Sequence, residues 1–170
     1  MLRADIKDVG ILGVYAEKND DNGFLAVEEF RKKIEEDYKT ASEKVEEIKE
    51  EKKKDPKVCV KEKLEEIYKI VSKWPYEYGE RIKNRESSKW EERIELYLLY
   101  NKLGCEIYLQ LLGIENIAIN EEDKDSLKKG IELFLCAEDL VLGLANYSGN
   151  NEYKKELEEV YTKLKINGKV

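Results

Sequence analysis

Apolar residues recur at steps of three and four along most of this chain. The clearest run lies in a heavily charged segment and comprises Val27, Phe30, Ile34, Tyr38, Ala41, Val45 and Ile48. This spacing places side chains on one face of an α-helix, whereas a half-buried strand alternates every two residues. Strand alternation of useful length is absent from the sequence, so the chain is predicted to be all-α.

The helical pattern divides the chain into segments of different character. A long charged helix is predicted at about 25–54, and a second amphipathic helix follows Asp55-Pro56 and ends at Pro75. Two segments, about 88–112 and 121–147, are apolar around most of their circumference, which is typical of buried helices. The 170 residues can bury one core. We therefore predict a single domain over residues 1–170, a helical bundle of five to six helices with two largely buried central helices.

Charge and composition limit the environment. The chain has 31 Lys and Arg against 38 Asp and Glu, a net charge of -7, which disfavours coating duplex nucleic acid or anionic lipid. Enrichment in Lys and Glu is typical of hyperthermophile proteins. The start, MLRADIKDVG, is charged where a signal peptide is apolar, and no uncharged apolar run of about 18 residues exists. We expect a cytoplasmic protein without a membrane segment.

Histidine is absent, which removes the usual general base and the Ser-His-Asp and Cys-His arrangements. It also removes the Glu-x-x-His pairs of di-metal bundles. An enzyme would have to use tyrosines and carboxylates, and the carboxylates within the buried helices are Glu95, Glu106, Glu132, Glu138 and Asp139. We expect these to pair with Lys or Arg or to lie on a solvated stripe. The prediction leans towards a protein that is not an enzyme and has no cofactor.

The three cysteines show no metal-binding spacing. Cys59, Cys105 and Cys136 lack a CxxC pair. Cys105 and Cys136 lie in strongly apolar segments and are interpreted as buried small side chains. A disulfide between those two helices is the alternative, and in the cytosol it would require a hyperthermophilic source.

Residues 17–30, EKNDDNGFLAVEEF, resemble an EF-hand calcium loop at five positions. Aligned on Gly23, the pattern places Asp20 third, Asn22 fifth, Leu25 eighth and Glu29 twelfth. The first position, however, is Lys18, whose ammonium group replaces a carboxylate ligand, and no second loop follows downstream. We therefore interpret the stretch as a polar turn between two helices rather than a metal site.

Residues 73–90, KWPYEYGERIKNRESSKW, combine aromatic and basic side chains in an otherwise acidic chain. The candidate binding residues are Trp74, Tyr76, Tyr78, Arg81, Lys83, Arg85, Lys89 and Trp90. Trp, Tyr and Arg dominate protein-binding hot spots, and aromatic rings between cations also suit single-stranded nucleic acid. The structural alternative is that Trp74 and Trp90 belong to the core.

The leading hypothesis is a non-enzymatic helical bundle that binds a protein partner or another copy of itself. The charged helix at 25–54 is a candidate for pairing with a second copy, since its apolar stripe resembles that of a coiled coil. Binding of single-stranded nucleic acid or RNA through residues 73–90 is the second hypothesis, and a carboxylate-dependent enzyme is the third.

Overall fold

The computed structural model describes residues 20–78 and 90–170. Within these ranges the chain forms helices and no strand, so the prediction of an all-α helical bundle is confirmed. The helices are α1 (Asp20–Lys54), α2 (Lys61–Tyr78), α3 (Trp90–Leu112), α4 (Glu121–Leu135), α5 (Glu138–Ser148) and α6 (Asn151–Asn167). No helix in the described ranges has the length and apolar character needed to cross a membrane.

Helix α3 packs against each of the other five helices. Its buried side chains point in several directions, which explains why its sequence is apolar on nearly every side. They include Ile94, Leu96, Leu98, Tyr100, Cys105, Ile107, Tyr108 and Leu111. The core of the bundle is therefore built around α3.

Helices α1 and α2 form an antiparallel pair, and the apolar stripe of α1 is covered by α2 and α3. The buried positions of the stripe are Val27, Ile34, Ala41, Val45 and Ile48. Salt bridges flank the seam: Lys44 Nζ lies 2.8 Å from Glu66 Oε1, and Lys63 Nζ lies 3.3 Å from Glu47 Oε1. Because the stripe is used inside the bundle, it is not a surface on which a second copy would pack.

Helix α1 begins earlier than the predicted 25, because the backbone is already helical at Asp20. The predicted turn is therefore wrong for positions 20–24, which include Asn22 and Gly23, whereas the chain from residue 25 onwards is helical as predicted. The backbone at these positions does not have the form of a calcium loop either, because the carbonyl groups of a helix accept hydrogen bonds from the following turn, whereas a calcium loop wraps around the ion. The side chain of Glu29 is exposed.

Helix α2 also differs at both ends from the prediction. It begins at Lys61, and Asp55 instead closes a turn after α1 by accepting a hydrogen bond from Lys57 N at 3.1 Å. Pro75 lies inside the helix, which continues to Tyr78. Proline costs the helix one hydrogen bond. Burial of Trp74 and Tyr78 on either side of Pro75 offsets that loss.

The predicted helix at about 121–147 is divided into α4 and α5 at Cys136 and Ala137. The turn is closed by backbone hydrogen bonds from Cys136 N to Glu132 O and from Ala137 N to Phe134 O. The bond from Cys136 joins residues four apart, as in an α-helix, and the bond from Ala137 joins residues three apart, as in a 3₁₀ turn. The chain therefore changes direction while these backbone groups stay hydrogen-bonded. As a consequence α5 packs against α3 and α6.

Candidate interaction surface

The aromatic residues of the stretch 73–90 have different environments. Trp74 is fully buried and its Nε1 donates a hydrogen bond to Asp37 Oδ2 at 3.1 Å. Tyr78 is also buried, with its ring centroid 4.8 Å from that of Phe30, whereas Tyr76 is 79% exposed. Trp74 and Tyr78 thus lie in the core. Arg81, Lys83, Arg85, Lys89 and the side chain of Trp90 lie outside the described residues, so binding of nucleic acid through them stays a prediction.

The carboxylates singled out in the central helices do not converge. Glu132 and Asp139 are exposed, and Glu95 is exposed beside Arg31. Glu106 and Glu138 are half-buried and form salt bridges, with Lys102 at 3.8 Å and with Lys165 at 2.9 Å respectively. The expectation of pairing or solvation is met for these side chains. Among the side chains that the structure describes, those of residues 27–78 and 91–170, no cluster of three or more Cys, Asp or Glu is placed to hold a metal ion.

A buried ion pair was not anticipated from the sequence. Lys52 Nζ lies 3.2 Å from Asp123 Oδ2, and both side chains are almost completely buried. Lys52 also donates to Val58 O at 2.7 Å, while Asp123 Oδ1 accepts from Val60 N at 3.1 Å. The pair therefore attaches the segment between α1 and α2 to the first turn of α4. The sequence offers only a weak indication of this pair, because an acidic residue in the first turn of a helix, such as Asp123 after the N-cap Asn120, is common.

Cys59 lies at the edge of this ion pair. Its Sγ is 3.4 Å from Glu122 Oε1 and 3.7 Å from Asp123 Oδ1. A backbone hydrogen bond at Lys61 lowers the pKa of the thiol, but burial and the two carboxylates together raise it above its ordinary value. A raised pKa keeps the thiol protonated, which disfavours the nucleophilic thiolate.

The interior tyrosines are also held in their neutral form. Burial raises the pKa of Tyr108, Tyr100 and Tyr161 well above the ordinary value, and it raises the pKa of Tyr153 to about 12. A general acid or base works best with a pKa near the operating pH. These four side chains are therefore suited to packing rather than to proton transfer.

Helix α5 presents an apolar face to solvent. Leu140 is 55% exposed and Tyr147 is 63% exposed, while Gly143 lies between them on the same side of the helix. The opposite side is buried through Val141 and Ala145. Because the two large apolar side chains share one exposed face, this face is a candidate for contact with another molecule. We call the surface formed by Leu140, Gly143 and Tyr147 the α5 face.

Gly143 differs from the glycines of the bundle interior. A Cβ atom added at Gly104 would overlap the ring of Phe134, and one at Gly130 would overlap the ring of Tyr108, so internal packing explains both. A Cβ added at Gly143 would meet nothing within 4 Å. Glycine in the middle of a helix costs about 1 kcal/mol relative to alanine. Packing within the described part of the chain therefore does not require a glycine at position 143.

Charged and polar side chains border the α5 face along one edge. Asp139 and Asn146 are exposed there, seven residues apart and therefore on the same side of the helix. Asn146 Oδ1 accepts a hydrogen bond from Lys154 Nζ at 3.2 Å, which brings a cation from α6 to the Tyr147 end. The edge is thus acidic near Leu140 and basic near Tyr147.

Comparisons with known proteins assign no family to this chain. No protein-family model matches the sequence, and neither a characterised protein nor a solved structure shows significant similarity to it.

Proposed function

We propose that this chain is a non-enzymatic, cytoplasmic helical-bundle protein that acts by binding protein, either another chain or a second copy of itself. The observation that supports the proposal is the α5 face, because Leu140 and Tyr147 expose apolar surface beside a glycine that internal packing does not require. Tyrosine is enriched among the side chains that anchor protein interfaces, and Leu140 adds apolar area on the same face.

The alternatives have less support in the described residues. Catalysis by tyrosines would need side chains that can exchange protons, and those of the interior are kept neutral by burial. The carboxylates of the central helices are separated or neutralised by Lys and Arg. A binding role requires none of these groups to react.

The experiment is site-specific photo-cross-linking in the source cells, with a photoreactive phenylalanine derivative at position 140 of the full chain. The matched control carries the same residue at Thr40, an exposed position on α1. We expect a covalent protein product at position 140 at several times the yield at position 40, and its loss when Tyr147→Lys is added. Equal yields at the two positions, or no product at position 140, would refute the proposed function.

A further inference from the structure

We infer that the occupant of the α5 face is a second copy of this chain, packed antiparallel across a two-fold axis that passes beside Gly143. This inference rests on the proposed function and names its partner. A two-fold contact uses the same patch on both chains, so the patch must complement itself. The α5 face meets this requirement in shape and in charge.

The shape argument follows from the positions along the helix. Leu140 lies about 4.5 Å before Gly143 along the axis, and Tyr147 lies about 6 Å after it. When a second α5 runs in the opposite direction with the glycines facing each other, Leu140 comes opposite the partner's Tyr147, and Tyr147 opposite the partner's Leu140. Two glycines at the crossing allow the backbones to approach closely, since no Cβ atoms intervene.

The charge argument concerns the other edge of the same face. The two-fold axis lies in the interface, so the polar edges of the two helices meet each other and the apolar edges do likewise. The exposed carboxylate of Asp139 then comes beside the partner's Asn146, whose side chain is bonded to the partner's Lys154. A parallel two-fold arrangement would instead place each polar edge opposite the partner's apolar edge, with Asp139 beside the partner's Leu140. Complementary charges thus favour the antiparallel register.

The two-fold contact is small, because α5 has eleven residues. Small protein interfaces belong to the weak or transient class, so we expect a dissociation constant on the order of 100 µM. Sedimentation velocity of the full chain should therefore be followed up to millimolar concentration. Dimers at the upper end of the series support the inference, and a wild-type chain that stays monomeric throughout overturns it.

The key variant is Gly143→Gln, because the new side chain enters open space in the monomer but separates the helices in the dimer. We expect the dissociation constant to rise at least about tenfold, with unchanged helical circular dichroism. Thr40→Gln is the matched control, since it adds the same side chain at an exposed site on α1 and should leave the dimer intact. Dimerisation of Gly143→Gln with the wild-type constant overturns the inference.

Charge reversal tests the register. Asp139→Lys and Lys154→Glu should each weaken the dimer by roughly fivefold, and the double variant should recover most of the loss. Within one chain, Asp139 lies about 10 Å along the helix from Asn146, the residue to which Lys154 is hydrogen-bonded. Because the two charges are not in contact within one chain, recovery in the double variant reports a contact between chains. Lack of recovery in the double variant overturns the antiparallel register.

The two proposals fail in different ways. If cross-linking at position 140 captures a different protein and the purified chain is monomeric, the dimer is refuted and the proposed function stands. If position 140 gives no cross-linked protein and the purified chain stays monomeric in sedimentation, both proposals are refuted.

Discussion

Lys52 and Asp123 form a buried ion pair that joins the last turn of α1 to the first turn of α4, with Nζ and Oδ2 3.2 Å apart. Each charge also complements the helix dipole at its own terminus, a cation near the C-terminus and an anion near the N-terminus. Their remaining hydrogen bonds go to Val58 O and Val60 N. Three chain segments, α1, the connection between α1 and α2, and α4, therefore meet at one pair of charges.

Lys52→Met should lower the free energy of unfolding by about 3 kcal/mol, because it leaves the carboxylate of Asp123 buried without its cation. Urea unfolding followed by circular dichroism measures the change. Lys53→Met is the control, since the side chain of Lys53 is 66% exposed and should change stability by less than about 0.5 kcal/mol.

Adding Asp123→Asn to Lys52→Met should cost less than the sum of the two single changes, because the double variant removes both charges from the interior. The amide oxygen can still accept the bond from Val60 N. Strict additivity of the three measured values would show that the two charges are not coupled, in contradiction to the geometry.

Two glycines should respond in opposite directions to the same substitution. Gly130→Ala should destabilise the fold by about 2 kcal/mol, because the added methyl group overlaps the ring of Tyr108. Gly143→Ala should stabilise the monomer by up to about 1 kcal/mol, since the methyl group meets open space and alanine favours the helix. Urea unfolding at low micromolar concentration, where association is negligible, gives both values. Equal losses at the two positions would contradict the packing described for α4 and α5.

Stability should fall steeply at alkaline pH. Burial raises the pKa of Tyr100, Tyr108 and Tyr161 above the value of about 10 expected in the unfolded chain. The folded state then binds more protons than the unfolded state above pH ~10, so its stability is complete below that pH and decreases as pH rises.

Tyrosinate absorbance and far-ultraviolet circular dichroism, recorded together during an alkaline titration, test the coupling of ionisation to unfolding. We expect the buried tyrosines to ionise in the same step in which helical signal is lost. In Tyr108→Phe the amplitude of that step should fall by about one tyrosinate. Ionisation of every tyrosine with the helical signal intact would contradict their burial.

The three cysteines should separate by reactivity. All are free thiols; Cys59 and Cys136 are exposed, whereas burial raises the pKa of Cys105 to about 12. An alkylating reagent at neutral pH should modify Cys136 and Cys59 in the folded protein, with Cys59 slowed by its raised pKa, and should modify Cys105 after denaturation. Mass spectrometry of the digested protein distinguishes these sites. The exposure of Cys136 differs from the sequence interpretation, and a disulfide to Cys105 is not formed.

In the stretch 73–90, the residue types alone do not distinguish a binding site from the core. Trp and Tyr supply large apolar area, and both cores and interfaces use them for that reason. Trp74 and Tyr78 follow the helical register into the core, while Tyr76 faces solvent. The sequence pattern does not reveal the α5 face, because the apolar segment 121–147 is interpreted there as one continuous, largely buried helix. The break at Cys136 and Ala137 gives α5 its own direction, and only part of its apolar surface is then covered.

Local patterns in the sequence were sufficient for the all-α class and the positions of most helices, because helical periodicity depends on neighbours a few residues apart. Features that join distant segments were decided by tertiary structure. The pairing of Lys52 with Asp123, the burial of the α1 stripe and the exposure of Leu140 beside Gly143 each depend on which helices lie next to one another. Side-chain spacing along one helix identifies an apolar face, but the surface that covers it comes from another part of the fold.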